Sequence, residues 1–227
     1  MFKISIIIPT INEANNLPLL LSDLSIVKRE GEIIIVDCGS EDKTIDLANI
    51  YGAKVFKSKE KNRGLQLCLG AKHAKGDWLL FLHADTRFTH DWFKKINSVL
   101  KGGENFIYYF KFKINHKKII YRVLEILVNY RSKFFKQPYG DQGLIIHKIA
   151  YFKNGGFRKL PLMEDVDFLR RLNKKKDLKQ LNLPIFISSR KWERTNIFLQ
   201  AIKNWQFRRR WLKGESLESI YSDYYKK

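Results

Sequence analysis

Two hydrophobic periods take turns along the first hundred residues. Lys3 to Pro9 holds Ile4, Ile6, Ile7 and Ile8 in a short run closed by proline, the mark of a strand. Asn15 to Val27 then places Leu17, Leu20, Leu21 and Leu24 at helical spacing, and Glu32 to Asp37 is an apolar strand again. The cycle repeats: Asp42 or a neighbour caps a helix through Tyr51, Ala53 to Ser58 reads as a strand, Asn62 to Ala74 as a helix, and Asp77 to His83 as a fourth strand. A further helix follows over His90 to Leu100. Strands alternating with helices predict a parallel sheet covered on both faces, hence an α/β fold.

Beyond Leu100 the pattern loosens. Phe106 to Ile114 is an aromatic-rich strand, His116 to Tyr130 a helix, Leu144 to His147 a short strand, Glu164 to Leu172 a helix, and the tail from Thr195 onward is helical. Lys174-Lys175-Lys176 reads as a solvated helix end. No repeat, Gly/Ser linker or low-complexity tract breaks the chain, so a second independent domain is not expected.

Composition adds a constraint that the pattern lacks. With 227 residues, 44% of them hydrophobic, the chain can bury one good core. Cys38 and Cys68 form no Cys-x-x-Cys, which speaks against a zinc knuckle or a disulfide framework. The amino terminus enters a strand within three residues without a basic segment and cleavage site, so a reducing, cytoplasmic setting is expected. The net charge of +20 is uneven: residues 1–100 carry 14 Lys+Arg against 12 Asp+Glu, residues 101–227 carry 29 against 11. Such an excess calls for an anionic partner, whether phosphates, nucleic acid or an acidic membrane surface.

Candidate chemistry gathers at the strand ends. After the four strands come Pro9-Thr10-Ile11-Asn12-Glu13, Asp37-Cys38-Gly39-Ser40, Asn62-Arg63-Gly64 and His83-Ala84-Asp85, and a parallel sheet brings its carboxyl ends to one edge. No Gly-x-Gly-x-x-Gly follows the first strand and no P-loop occurs, which removes the fingerprints of dinucleotide and P-loop sites. Asp37 can take hydrogen bonds from a base or ribose, or simply cap its loop; Arg63 can reach base or phosphate; Asp85 can hold a divalent ion that bridges a diphosphate. In Pro161 to Leu172, a helix from Glu164 would put Asp165, Phe168, Leu169 and Leu172 on a core-facing stripe, with Glu164, Asp167 and Arg171 on the adjoining face. Asp167 and Arg171 then stand at ion-pair spacing, and a carboxylate at Asp165 or Glu164 could serve as a general base.

These motifs resemble those of family-2-like glycosyltransferases of the GT-A fold, and more narrowly the group of radical-SAM/selenodomain-associated transferases. The similarity runs from Ile4 to about Tyr225 through Ile6 to Glu13, Val36 to Ser40, Leu80 to Thr86, Tyr139 to Gly143, Pro161 to Val166 and Ser189-Arg190-Lys191-Trp192-Glu193. It implies a Rossmann-like, mostly parallel central sheet covered by helices: a GT-A domain over residues 1–190, with a donor half (1–100) and an acceptor half (101–190), then a basic amphipathic helical extension over 191–227. By the same resemblance Pro9, Thr10, Glu13, Asp37, Gly39, Arg63, His83, Ala84 and Asp85 bind a nucleotide sugar, a UDP-sugar before a GDP-sugar. Asp85 ligates Mn²⁺ or Mg²⁺, and Asp165 is the base of an inverting transfer. Asp141, Gln142, Arg190 and Trp192 lie on the acceptor and diphosphate side. His83 stands where the broad family has the first Asp of Asp-x-Asp, and Cys38, Lys43 and Cys68 depart from the narrower group.

The basic half poses a separate choice. Ile119, Ile120, Val123, Leu124, Ile126, Leu127, Phe134 and Phe135 stand among Lys117, Lys118, Arg122, Arg131, Lys133 and Lys136; the tail repeats the theme with Trp205, Phe207 and Trp211 among Arg208, Arg209 and Arg210. Each segment is either a core-packed helix with a solvated basic face or a helix docked on an anionic membrane to meet a lipid or lipid-linked acceptor. Neither is apolar for the ~20 residues that span a bilayer. A non-catalytic RNA- or single-stranded-DNA-binding protein and a sugar nucleotidyltransferase are the alternatives. The first lacks an RNA-binding fingerprint and carries an acidic edge; the second lacks the Gly-rich phosphate loop after the first strand. No nucleic-acid partner is expected.

Overall fold

The computed structural model describes residues 3–101, 106–172, 178–188 and 197–225. An eight-stranded mixed sheet forms its centre. The strands are β1 (Ile4–Thr10), β2 (Gly31–Asp37), β3 (Lys54–Lys57), β4 (Trp78–Phe81), β5 (Thr86–Arg87), β6 (Ile107–Ile114), β7 (Leu144–His147) and β8 (Leu178–Ile187), in the order β3-β2-β1-β4-β7-β6-β8-β5. β3, β2, β1 and β4 are mutually parallel, as the alternating pattern predicts, whereas β7 runs antiparallel to both β4 and β6.

The apolar runs of β1, β2 and β4 are continuous because both faces are covered. Ile4, Ile6 and Ile8 join a core with Leu17, Leu20, Leu21 and Leu24 of α1 (Leu17–Leu24). Ile7, Ile34 and Val36 face the opposite way and pack with Leu67 and Ala71 of α3 (Arg63–His73). α2 (Thr44–Ile50) joins β2 to β3, and α4 (Trp92–Leu100) buries Trp92, Phe93 and Ile96. Asn62 caps α3, its side-chain oxygen accepting from the Leu65 amide at 2.9 Å, which sets where Arg63 leaves the helix.

The second half departs further from the sequence reading. α5 spans Ile119–Phe134, shifted toward the carboxyl end of the expected segment, because Lys118 is still extended at its start. α6 (Lys148–Lys153) and β8 do not stand out in the sequence. β8 hides because Pro184 interrupts it, just past a register shift in the β6–β8 ladder, where a missing amide is tolerated. α7 covers Glu164–Arg171, and the tail forms two helices, α8 (Ile197–Leu212) and α9 (Leu217–Tyr225), broken at Gly214 with φ of +90°. Arg210 clamps the two tail helices by pairing with Glu215 and, at 2.8 Å, with Asp223. The lysine run 174–176 and the residues Arg190 and Trp192 lie outside the described residues. No helix among the described residues is long and apolar enough to cross a membrane.

Candidate functional site

Register brings the first two clusters together. Thr10 is paired with Asp37 across the β1–β2 ladder, and its hydroxyl donates to Asp37 Oδ2 at 2.9 Å. Asp37 also accepts from the Ser40 amide at 2.8 Å and from the Ser40 hydroxyl. Its carboxylate is fully buried and engaged within the loop, and Asp37 sits under the cleft rather than in its wall. It reaches the cleft through Thr10, which it orients. Gln66, absent from the sequence reading, donates from Nε2 to the carbonyls of Thr10 (3.0 Å) and Val36 (2.7 Å) and so ties both strand ends to α3.

The cleft at this edge has a volume of about 610 Å³, within the range of small-molecule sites. Of the residues singled out in the sequence, Pro9, Thr10, Glu13, Arg63, His83, Ala84 and Asp85 line it; Gly39 does not, lying exposed on the loop beyond Cys38. Ile11, Cys38, Lys61, Gln66, Pro161 and, from the far end of the chain, Tyr221 of α9 complete the wall. The fully buried Ile220 anchors α9 there, so the last helix belongs to the site rather than hanging from it.

The second carboxylate motif meets the first at Gly140. Met163 adopts a left-handed conformation (φ +61°) immediately before α7, and this turn sets which way the acid pair points. Contrary to the helical-wheel expectation, Glu164 goes inward, 1% exposed, while Asp165 stays half-buried at the edge. Burial of Glu164 is tolerated because Arg63 Nε donates to its Oε1 at 2.5 Å. Burial nevertheless pushes the Glu164 carboxyl above the usual carboxylate range; Arg63 opposes the shift and Asp165 adds to it. The Glu164 Oε2 atom has no hydrogen-bond partner among the described residues. Phe168, Leu169 and Leu172 are buried as the stripe predicts, and Asp167 and Arg171 form their ion pair at 2.8 Å.

Asp165 accepts from the Gly140 amide at 2.7 Å through Oδ2. A Cβ on Gly140 would lie 2.9 Å from His83 Nε2 and 3.4 Å from Asp165 Oδ2, so imidazole and carboxylate crowd the same glycine and any side chain there would push between them. His83 also lines both the large cleft and a smaller apolar cavity shared with Tyr139, Glu164 and Asp165. It therefore joins the strand-four motif to the helix that carries the candidate base. Of the expected acceptor-side residues, Gln142 is fully buried, accepting from Ser132 and donating to the Phe110 carbonyl at 3.3 Å, a bond pattern that holds α5 to β6. Asp141 lies half-buried beside it.

A model of the family described as glycosyl transferase family 2 matches residues 5–166, most of the chain and every element that builds the cleft's sheet edge. The chain belongs to glycosyl transferase family 2. An uncharacterized glycosyltransferase of Haemophilus influenzae is 30% identical over 181 residues, 74% of this chain and 61% of that protein. The first curated relatives are covered over only 26% to 34% of their own length. Among solved structures, S. aureus TarS 1-349 in complex with UDP-GlcNAc superposes with a TM-score of 0.67 at 19% identity, over 83% of this chain and 59% of that one. Glucosyl-3-phosphoglycerate synthase from Mycobacterium tuberculosis in complex with Mg²⁺ and UDP does so at 0.60 and 18%, over 89% and 77%. The fold of this family-2 chain is GT-A, its sheet mixed and its strand carboxyl ends at the cleft.

Proposed function

We propose that this protein is an inverting glycosyltransferase that moves a sugar from a nucleoside-diphosphate sugar, a UDP-sugar before a GDP-sugar, to an acceptor hydroxyl. The observation that carries the reading is the pairing of a 610 Å³ cleft ending at Asp85 with a half-buried carboxylate, Asp165, across His83. The acceptor oxygen attacks the anomeric carbon as the bond from that carbon to the diphosphate oxygen breaks; the hydroxyl proton passes to the Asp165 carboxylate and the nucleoside diphosphate departs. Attack opposite the leaving group inverts the anomeric centre. Glu164 serves a different end, fixing Arg63 in the cleft wall. Thr10 and Glu13 border the nucleoside, with Asp37 and Gln66 holding the strand ends beneath it.

The donor set suits a Mn²⁺ or Mg²⁺ ion that arrives with a diphosphate. No group of three His, Cys, Asp or Glu side chains forms a self-sufficient cage among the described residues, whereas Asp85 opens on the cleft beside His83. Magnesium commonly takes one or two carboxylates and completes its shell with water and substrate phosphates. Asp85 would hold the ion, and the ion would offset charge that accumulates on the leaving diphosphate. TarS and the mycobacterial synthase, solved with UDP-GlcNAc and with Mg²⁺ and UDP, support this choice of donor and ion.

The acceptor is a lipid or lipid-linked hydroxyl reached at an anionic membrane. Ile119, Val123, Ile126, Leu127, Tyr130 and Phe134 make an outward apolar stripe on α5, all exposed, between Lys117 and Lys118 at one end and Lys133 at the other. Leu199, Ile202 and Trp205 are exposed on α8. Such a stripe amid cations fits the headgroup region of an anionic bilayer. A panel of nucleotide sugars, assayed for Mn²⁺-dependent binding and slow hydrolysis by the purified protein, tests the donor assignment. Metal-dependent activity surviving in Asp85→Ala would remove Asp85 from the role given to it, and equal flotation with neutral and anionic vesicles at low salt would remove the membrane.

A further inference from the structure

Between α5 and α8 lies a cationic cluster that the reaction above does not use. Arg131, half-buried at the edge of the α5 stripe, stacks its guanidinium 3.7 Å from the centre of the Tyr139 ring, and Arg208 of α8 approaches the same ring at 5.7 Å. Both are tied to Gln137: Arg131 Nε donates to its backbone carbonyl at 3.3 Å and Arg208 Nη1 to its side-chain oxygen at 3.0 Å. What these contacts leave over is unusual. Arg131 Nη2, Arg208 Nε and the Tyr139 hydroxyl are each buried with no hydrogen-bond partner among the described residues. Burial lowers the proton affinity of both guanidiniums, and Arg131 lowers that of Arg208 further, whereas Asp141 and Asp165 pull Arg131 back up. Among the described residues no ion pair includes Arg208.

Two neighbouring half-buried cations, each with a buried unused donor, and a phenol without a partner are the complement of a dianionic, oxygen-rich group. Guanidinium suits phosphate because its planar fork offers paired donors to adjacent oxygens. We propose that Arg131, Arg208 and Tyr139 form a subsite for a phosphate group carried by the acceptor. The proposal rests on the glycosyltransferase reading and deepens it, naming the acceptor as a phosphorylated molecule. Neither arginine lines the large cleft, so the subsite is distinct from the donor's diphosphate position. Tyr139 lines the smaller cavity with Asp165 and His83, which places the subsite next to the proposed base. α5 joins the two requirements of a lipid phosphate, an exposed apolar stripe and, along its edge, Arg131. A soluble phosphate ester offers the same headgroup chemistry without the tail.

Titration calorimetry on the full chain saturated with UDP tests the subsite, with inorganic phosphate and glycerol 3-phosphate as probes. Both are expected to bind with UDP in place, and Arg131→Gln/Arg208→Gln to weaken them at least tenfold while UDP affinity stays within twofold, which also reports that the variant is folded. Arg208→Lys, which keeps the charge but loses the fork, is expected to fall between. Vesicles with phosphatidic acid or phosphatidylglycerol at matched charge separate the sources: a variant defect confined to phosphatidic acid identifies a lipid phosphate, and a defect seen only with glycerol 3-phosphate identifies a soluble one. Displacement of phosphate by UDP would assign the arginines to the donor and overturn the subsite. So would failure of the wild-type protein to bind either probe at 10 mM, or equal binding by wild type and double variant. Failure of the wild-type protein to bind any nucleotide sugar would instead sink the glycosyltransferase reading.

Discussion

The two halves of this molecule treat apolar surface in opposite ways. Up to residue 101, α1 and the strands it covers bury nearly everything apolar, and the exposed large side chains are Ile11, Leu19, Ile26 and Ile50. After it, α5 alone exposes Ile119, Val123, Ile126, Leu127, Tyr130 and Phe134, on a helix whose other side packs Tyr121 and Leu124 into the core. The first half is a scaffold closed over its own core; the second holds the proposed base and a surface that is apolar, cationic and uncovered. An exposed patch of this kind reports a partner more than a packing fault.

That contrast can be broken by experiment. The largest effect is expected at Asp165, in the second half: Asp165→Asn should slow transfer by about 10²- to 10⁴-fold, the usual contribution of a general base, while donor binding by calorimetry persists. Unchanged transfer would place the chemistry elsewhere. Next comes the same truncation made in both halves. Leu20→Ala, at a fully buried α1 position, should cost roughly 2–5 kcal/mol in chemical denaturation, and Leu127→Ala, on the α5 stripe, less than about 0.5 kcal/mol. Equal costs would mean that the stripe is packed in solution.

Smaller effects test where the halves meet. Tyr221→Ala removes a wall of the large cleft supplied by the last helix and, if that cleft holds the proposed donor, should weaken UDP binding by about tenfold, or ~1.4 kcal/mol, with little change in melting temperature. Wild-type affinity would return α9 to the status of an appendage. The smallest expected effect is ionic: raising salt from about 0.05 to 0.2 M shortens the range of charge attraction and should reduce anionic-vesicle binding several-fold, while Leu127→Ala lowers binding at both salts. Salt sensitivity without any response to Leu127→Ala would leave charge alone, not the apolar stripe, as the membrane contact.

Much of the first half was legible because its signals are local. β1, β2 and β4 announced themselves by apolar runs within single strands, and Asp85 by its place just past one of them. Asp37 shows the limit of that reading. A carboxylate before glycine looks the same whether it meets a ligand or caps its loop, and the Thr10 and Ser40 bonds that engage it come from the folded edge. The acid pair on α7 reversed for a similar reason: a helical wheel weighs residues within one helix, whereas Met163's backbone and Arg63's charge decided that Glu164 would turn inward.

The order of residues alone determined the alternation of strand and helix, the gathering of polar clusters at one sheet edge and the concentration of positive charge beyond residue 100, because hydrophobic period and charge are properties of short stretches. Only the tertiary structure decided that Gln66 would hold two strand ends, that Tyr221 would close a cleft opened by Pro9, and that Arg131 and Arg208 would share one tyrosine ring. Those pairings join residues far apart along the chain, and their energies depend on burial and on which donors remain unused, quantities that exist only once the chain has closed on itself.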